Sequence, residues 1–210
     1  MPATRLNRIA ADAAALDECV TYIERQIRPE LEARPGSLGI SVLAHREKGI
    51  AIFGSVWATS LEMTGSEDTE APFRGELARL AGGPVTVEDY QIPIFELVER
   101  PAVPPDSYVV RLTRIQVRPS QVDEVIEVVG DMAVPSLVVT PGFCDALLFA
   151  QPASGRLISE TVWRDPQARA PAPSVAAIIQ TQFPAEAGGQ IPDVEDAEDY
   201  ALVFSTLREP

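Results

Sequence analysis

The chain has few of the residues from which covalent cross-links and metal centres are built. Its 210 residues include two cysteines and one histidine. A disulfide framework needs several paired cysteines and a zinc site needs a cluster of cysteine or histidine ligands, so we expect neither and predict no metal site. Cys19 lies on the apolar face of a predicted helix and Cys144 near the start of a predicted strand, which favours two buried thiols over a disulfide.

Long apolar runs and lysine are also scarce. No run approaches the ~20 apolar residues of a membrane-spanning helix, and the N-terminus has no apolar core of the signal-peptide type. We therefore expect a cytoplasmic protein without a membrane partner. Lys48 is the only lysine among 17 basic residues, and 31 acidic residues bring the formal charge to −14. This acidity argues against nucleic acid as a partner, since nucleic acids and anionic membranes bind clustered Lys and Arg.

Several motifs with a defined chemistry are absent from the sequence. It contains no phosphate-binding loop, no Rossmann glycine pattern and no set of Ser, His and Asp at the spacing of a known hydrolase motif. Nucleotide-dependent and hydrolytic functions are therefore disfavoured.

The chain does contain a segment that occurs twice. Residues 5–57 align with residues 111–163 at an offset of 106 without a gap and share 15 identities in 53 positions. Unrelated segments of this length would share roughly 3, so we interpret the match as an internal duplication. The identities include Pro35-Gly36 with Pro141-Gly142 and Trp57 with Trp163.

Both copies predict the same succession of elements. Each begins with a short strand and continues with a helix whose apolar residues recur at steps of three and four. Pro29 and Pro135 should kink or end these helices, because proline lacks the N–H donor. A β-hairpin, a second helix and a last strand that opens with Asp-Tyr follow. This β-α-β-β-α-β order is the ferredoxin-like plait.

We predict a first plait over residues 1–99, a proline-rich linker over 100–107 and a second plait over 108–210. A plait has helices on one face of its sheet and a partly apolar second face, and two copies can bury these second faces together. The predicted fold is therefore α+β, with tandem ferredoxin-like repeats packed as an intramolecular α+β barrel. A homodimer of this pseudo-dimeric chain is a further expectation.

The plait with Pro-Gly before its second strand and Val-Trp at the end of its third resembles the antibiotic biosynthesis monooxygenase family of dimeric α+β barrels. The resemblance implies a cavity against the sheet and a reaction in which a deprotonated phenolic substrate meets oxygen directly, with no cofactor. It predicts a cofactor-independent monooxygenase for an aromatic or polyketide-like small molecule. The alternative is a non-catalytic small-molecule-binding or stress-response barrel.

Candidate catalytic residues come mainly from the first copy. Strand alternation places Arg5 and Asn7 on one face, where a guanidinium and an amide could bind a phenolate; the alternative is that they bond the backbone or solvent. Trp57 is either a substrate platform or a structural seal, and Tyr22 could point its hydroxyl into the first cavity. Glu160 is either a general base in the second copy or the partner of Arg164 in a structural ion pair.

Candidate substrate-binding residues come from the second copy and are Arg111, Thr113, Trp163 and Tyr200. A haem-degrading branch of the resembled family uses a first-strand Asn together with a Trp and a His. The only histidine, His45, falls at a predicted hairpin tip, so haem binding is disfavoured and no cofactor is predicted.

Overall fold

Eight strands form the sheet of the protein, which a computed structural model describes for residues 1–99, 107–182 and 193–210. They are β1 Ala3–Ala10, β2 Ser37–His45, β3 Ile50–Trp57, β4 Thr86–Leu97, β5 Val109–Gln116, β6 Phe143–Gln151, β7 Arg156–Trp163 and β8 Asp193–Ser205. Their order is β1-β3-β2-β8-β5-β7-β6-β4, closed into a barrel. The predicted α+β class with a barrel of ferredoxin-like halves is thereby confirmed.

The helices follow the β-α-β-β-α-β order in each half. They are α1 Ala13–Tyr22, α2 Arg28–Glu32, α3 Ser60–Gly65, α4 Glu67–Ala81, α5 Val122–Val128, α6 Val134–Val138, α7 Pro166–Arg169 and α8 Val175–Gln182. No helix in the described ranges is long and apolar enough to cross a membrane. Cys19 and Cys144 are both buried, and they form no disulfide with each other.

The chain divides into two compact units. The first comprises Met1–Gln91 and Ala201–Pro210, and the second comprises residues 92–99 and the described part of Ser107–Tyr200. Strand β4 therefore begins in the first unit and ends in the second, and β8 does the reverse. The predicted linker lies outside the described residues except for Ser107, and the domain limits at 99 and 108 stay a prediction.

Both long helices widen into a π-turn at the same place. The N–H of Arg28 bonds to the carbonyl of Ile23, and the N–H of Val134 bonds to that of Val129, five residues back in each case. Pro29 and Pro135 each follow directly, as the second residue of α2 and of α6. A proline in a regular helix would clash with the carbonyl four residues before it, and the wider turn moves that carbonyl away. The helices are therefore widened at these prolines and do not end there.

In each unit, one face of the sheet packs against the helices. Ile9, Phe53 and Trp57 lie on this face in the first unit and pack with Leu16 and Leu77 of the helices. The second unit repeats the arrangement with a core that includes Ile115, Trp163, Val125 and Ile179. Because side chains alternate along a strand, Arg5 and Asn7 share the helix-covered face with Ile9, and Arg111 and Thr113 share it with Ile115.

Candidate functional site

The second unit contains a pocket of about 130 Å³ between its sheet and the segment that leads into α8. The sheet contributes Arg111 and Thr113 from β5 and Ser159, Thr161 and Trp163 from β7. The opposite wall consists of Arg169, Ala172, Pro173, Ser174 and Val175. We call this cavity the Arg111 pocket.

The register of β5 and β7 determines which side chains meet in this pocket. Arg111 lies opposite Thr161, and Thr113 lies opposite Ser159. Members of such cross-strand pairs project from the same face of an antiparallel sheet. One guanidinium and three hydroxyls therefore form a polar patch under the helices.

Two arginines share one carboxylate at the pocket. Arg111 donates from Nε and Nη2 to the two carboxylate oxygens of Asp199, at 2.7 and 2.8 Å, and Arg169 donates from Nε to Asp199 Oδ1 at 3.1 Å. One formal positive charge remains on this group. Arg111 Nη1 and both terminal nitrogens of Arg169 have no hydrogen-bond partner among the described residues. The arrangement is suited to binding an anion.

The hydroxyls of the patch differ in what they bond. Thr161 Oγ1 accepts a hydrogen bond from Trp163 Nε1 at 3.1 Å. Thr113 and Ser159 are 6% and 4% exposed, and no hydrogen bond joins either hydroxyl to a described residue. Neither oxygen is among the fully buried polar atoms that lack a partner, so both are accessible from the pocket and available to a ligand.

The corresponding face of the first unit is occupied by acidic side chains. Arg5 donates from Nε and Nη2 to Asp89, at 2.8 and 2.9 Å, as Arg111 does to Asp199. Its Nη1 also donates to Glu67 Oε2 at 2.6 Å and lies 3.8 Å from Glu70 Oε1. These carboxylates raise the pKa of Arg5, above all through the hydrogen bond to Asp89. All three arms of this guanidinium therefore have carboxylate partners.

Glu70 is the buried centre of this group, with 1% of its surface exposed. It accepts hydrogen bonds from Ser66 Oγ at 2.6 Å and from Ser55 Oγ at 3.3 Å. Ser55 Oγ accepts in turn from Trp57 Nε1 at 3.2 Å. Burial raises the pKa of Glu70, while the bond from Ser66 and the charges of Arg5 and Arg74 act against that shift.

Asn7 completes the helix-covered face of β1. It is fully buried, and its Nδ2 lies 3.5 Å from the carbonyl oxygen of Phe53. Its Oδ1 has no hydrogen-bond partner among the residues that the structure describes. The structure thus brings Arg5, Asn7 and Trp57 together in the first unit, and Arg111, Thr113 and Trp163 together in the second.

Tyr22 lies elsewhere, in a groove of about 440 Å³ between α1 and α4. Its ring meets Phe73 edge to face, with 6.4 Å between the ring centroids. Burial raises the pKa of its hydroxyl. The structure therefore places Tyr22 outside the sheet-face cluster of Arg5 and Asn7.

Glu160 and Tyr200 are buried on the sheet face that points away from the Arg111 pocket. Glu160 lies opposite Leu112 and Leu147, between the pocket residues Ser159 and Thr161 in sequence. Tyr200 donates to Glu198 Oε2 at 2.6 Å, and burial together with this bond raises its pKa to about 12.

Two other interpretations from the sequence have a clear outcome in the structure. Arg164, proposed as a partner of Glu160, forms an ion pair of 2.8 Å with Glu99. His45 Nδ1 accepts from the N–H of Lys48 at 3.4 Å and so caps the short turn after β2.

The sequence reasoning missed Asp89, Asp199, Glu70 and Arg169. Asp89 and Asp199 stand in the repeated Asp-Tyr pairs, in which the tyrosine is the more obvious candidate for a proton relay. Glu70 precedes Phe73 and Leu77 by three and seven residues, which is the spacing of one helix face. That spacing could have revealed an acidic side chain turned inward.

Comparisons with known proteins agree with this architecture. No family model matches the sequence. Two uncharacterized proteins of Mycobacterium tuberculosis are each 28% identical to it, over 206 and 207 residues, which is 98% of this chain and 89% and 85% of theirs.

Similar solved structures extend over nearly the whole chain. A putative monooxygenase from Lactobacillus acidophilus has a TM-score of 0.68 at 15% identity, covering 98% of this chain and 94% of its own. An anthrone oxidase-like protein reaches 0.62 at 16% identity, covering 97% and 92%. A ferredoxin-fold protein of Listeria monocytogenes related to antibiotic biosynthesis monooxygenases reaches 0.51 at 9% identity, covering 96% and 95%.

The chain has the fold of the proteins related to antibiotic biosynthesis monooxygenases. The resemblance noted in the sequence is therefore confirmed at the level of the fold. At identities of this size, the likeness extends to the fold alone.

Proposed function

We propose that the protein binds a small organic anion in the Arg111 pocket and oxidises it with molecular oxygen, as a cofactor-independent monooxygenase. The observation that carries the proposal is the pair of arginines on a single carboxylate, Arg111 and Arg169 on Asp199, whose remaining N–H groups face a cavity with two unbonded hydroxyls. Solved structures of the same fold include proteins described as monooxygenases and as anthrone oxidase-like.

The chemistry suits an aromatic substrate with an acidic proton, such as an anthrone-like phenol. Loss of that proton gives an oxyanion, which accepts hydrogen bonds from Arg111 Nη1 and from the Thr113 and Ser159 hydroxyls. The positive charge of the pocket lowers the pKa of the bound substrate and so favours its anion. Oxygen then converts the activated CH₂ group to C=O, with the second oxygen atom leaving as water, so that one O₂ is consumed for each substrate.

The size of the pocket limits how the substrate binds. Its volume of about 130 Å³ is below the ~300–1,000 Å³ that is usual for a fully enclosed ligand. Arg111 and Asp199 keep 33% and 42% of their side chains exposed at the opening. A single ring therefore occupies the pocket, while any further rings of the substrate lie outside it.

A second candidate function is binding without turnover. The described residues that line the pocket include no Asp, Glu, His or Tyr, and the carboxylate of Asp199 at its opening is already bonded to Arg111 and Arg169, so the substrate proton has no ready acceptor. In this case the protein retains or carries an organic anion and consumes no oxygen.

Oxygen-electrode measurements with a panel of anthrone-like phenols separate the two candidates. The monooxygenase proposal predicts uptake of one O₂ per substrate. It also predicts that Arg111→Gln lowers kcat/KM about 10²-fold, the usual loss when an oxyanion donor is removed. Arg118→Gln, an exposed arginine outside the pocket lining, serves as the control and should keep full activity.

The contrary outcomes are also distinct. Binding of a phenol, lost in Arg111→Gln, without oxygen uptake across the panel would favour the binding function. Equal activity in Arg111→Gln and the wild type, at equal thermal stability, would show that the active site is not the Arg111 pocket.

A further inference from the structure

The two units contain the same arginine site, and the first unit fills it with a carboxylate of its own. We propose that the ligand of the Arg111 pocket presents a carboxylate to Arg111 and Arg169, which makes its substrate class small ring-bearing organic acids. This inference rests on the proposed binding function and defines its ligand more narrowly.

The construction of the two arginine sites is closely matched. Arg5 and Arg111 are 106 residues apart, and each donates from Nε and Nη2 to the aspartate that precedes the tyrosine of the last strand, at 2.7 to 2.9 Å. On the neighbouring strand, the Trp57 indole donates to Ser55 Oγ and the Trp163 indole to Thr161 Oγ1, at 3.2 and 3.1 Å. Arginine, aspartate, tryptophan and hydroxyl thus recur in one arrangement.

The two sites differ in what surrounds Nη1, the arginine nitrogen that the aspartate does not contact. In the first unit, Arg5 Nη1 faces the carboxylates of Glu67 and Glu70. Glu70 is held there by two hydroxyl donors, Ser66 and Ser55, and by the nearby charge of Arg74, 3.9 Å from its Oε2. The site therefore holds a desolvated carboxylate surrounded by hydroxyl and guanidinium groups.

In the second unit, no described residue supplies such a carboxylate to Arg111. The wall that faces Arg111 consists of Pro173, Ser174 and Val175 together with Ala172 and Arg169, and the Arg111 pocket lies in front of it. Arg169 brings a second cation, as Arg74 does in the first unit. Thr161 stands in the place of Ser55, and the hydroxyls of Thr113 and Ser159, at the positions of Asn7 and Phe53, provide further donors. Among the described residues, the second site thus has arginine and hydroxyl donors without an internal acid.

The donors of the pocket are numerous enough for a carboxylate in addition to the phenolate oxygen of the proposed substrate. Guanidinium groups pair with two-oxygen anions through parallel N–H bonds, and a carboxylate offers two oxygens with about four lone-pair sites. Arg111 Nη1, the two terminal nitrogens of Arg169 and the two hydroxyls are more donors than one phenolate oxygen can use. The pocket volume of about 130 Å³ then leaves space for about one ring beside the carboxylate.

Calorimetric titration of the full chain with benzoate and with benzamide tests the ligand class. The two probes have nearly the same shape and differ in charge. We expect benzoate to bind at least tenfold more tightly than benzamide, about 1.4 kcal/mol at 25 °C. We also expect Arg111→Gln to remove this preference and Arg118→Gln to retain it.

The first unit allows a reciprocal test. Glu70→Ala removes the internal carboxylate, and added acetate should then raise the melting temperature of this variant by more than it raises that of the wild type. Glu76→Ala, which removes a partly exposed carboxylate from the same helix, is the matched control and should respond to acetate as the wild type does. If Glu70→Ala does not fold in buffer, the readout is the recovery of folded protein in acetate relative to acetamide.

The outcomes separate this inference from the function on which it rests. Binding of a phenolate such as 4-nitrophenolate but not of benzoate would overturn the carboxylate inference and leave the anion pocket standing. Binding of neither probe would overturn both. Benzoate binding that depends on Arg111, in a protein that consumes no oxygen, would support the inference and remove the monooxygenase activity. If acetate raises the melting temperature of Glu70→Ala no more than that of the wild type, the first site does not bind a free carboxylate and gives no support for carboxylate binding at the second.

Discussion

Glu70 is the residue at which burial and charge oppose each other most directly. It is 1% exposed, and burial raises its pKa although Arg5, Arg74 and two serine hydroxyls favour the ionised form. The raised pKa means that the folded chain holds this proton to a higher pH than the unfolded chain does. Ionisation of Glu70 therefore costs stability.

The pH dependence of unfolding follows from this shift. Between the ordinary pKa of glutamate and the raised value in the folded state, the folded form binds more protons than the unfolded form. The Glu70 contribution to the free energy of unfolding should therefore fall as the pH rises through this interval. Glu70→Gln should remove that contribution, as measured by urea unfolding at a series of pH values from about 4.5 to 8.

Glu76→Gln provides the control for this measurement. Glu76 is partly exposed, and its hydrogen bond from Arg79 lowers its pKa. Its own contribution to the free energy of unfolding therefore rises with pH, and Glu76→Gln should leave the Glu70 contribution in place. An unchanged pH profile in Glu70→Gln would show that the buried carboxylate does not titrate in this range.

At the level of single residues, the sequence predicted which side chains share a sheet face but not which groups they bond. Strand alternation correctly placed Arg5 with Asn7 and Arg111 with Thr113 on shared faces. It could not identify their partners, since Asp89 and Asp199 are brought next to them only by the pairing of β1 with β4 and by the position of β8. The repeated Asp-Tyr pairs were visible in the sequence, but the aspartates and not the tyrosines contact the arginines.

At the scale of elements, the hairpin turns are fixed by glycines that the sequence repeats. Gly49 and Gly155 have φ angles of +63° and +74°. A Cβ on Gly49 would lie 2.2 Å from the carbonyl oxygen of Ala11, and one on Gly155 would lie 2.0 Å from that of Val117. These close main-chain contacts belong to the fold, because the N–H groups of Ala11 and Val117 donate hydrogen bonds of 2.9 Å to the carbonyls of Gly49 and Gly155.

Substitution of Gly155 should therefore reduce stability by more than the unfavourable φ angle alone would. Gly155→Ala combines a left-handed backbone, roughly 1–2 kcal/mol, with a clash against main chain that typically adds 1–3 kcal/mol. Gly82→Ala is the matched control: its φ is +69°, and the described residues leave open space within 4 Å of its Cβ position.

Thermal or urea unfolding of the two glycine variants gives the comparison. We expect Gly155→Ala to lose at least about 1 kcal/mol more stability than Gly82→Ala. Equal losses in the two variants would mean that the hairpin turn relaxes without strain.

The two prolines mark helix irregularities whose position, but not whose form, could be predicted from the sequence. Proline lacks an N–H donor, so a disturbance of each helix near Pro29 and Pro135 was expected. That the disturbance is a π-turn and not a break depends on tertiary packing, because Ile27, Leu31, Ala133 and Leu137 keep the helical segments in the core.

For the whole molecule, the repeated segments supply the scaffold and the arginines of the two sites, and the segments after them supply what makes the sites differ. The gapless match ends at Trp57 and Trp163, and up to that point it predicts the scaffold well. Glu67, Glu70 and Arg169 all lie beyond it, in segments where α3 and α4 differ in length from α7 and α8. The sequence could not tell which unit keeps an open pocket, because the acidic side chains that fill the first site and the wall from Arg169 to Val175 that faces the second lie in this divergent region.

The most direct test of the Arg111 pocket as a carboxylate site is a crystal structure of the full chain with 4-bromobenzoate, with the bromine located by anomalous scattering. We predict one bromine peak per chain at the Arg111 pocket, with the carboxylate on Arg111 and Arg169, and none against Arg5, where Glu67 and Glu70 already fill the site. A peak at Arg5, or a ligand bound with its carboxylate away from Arg111, would contradict this prediction.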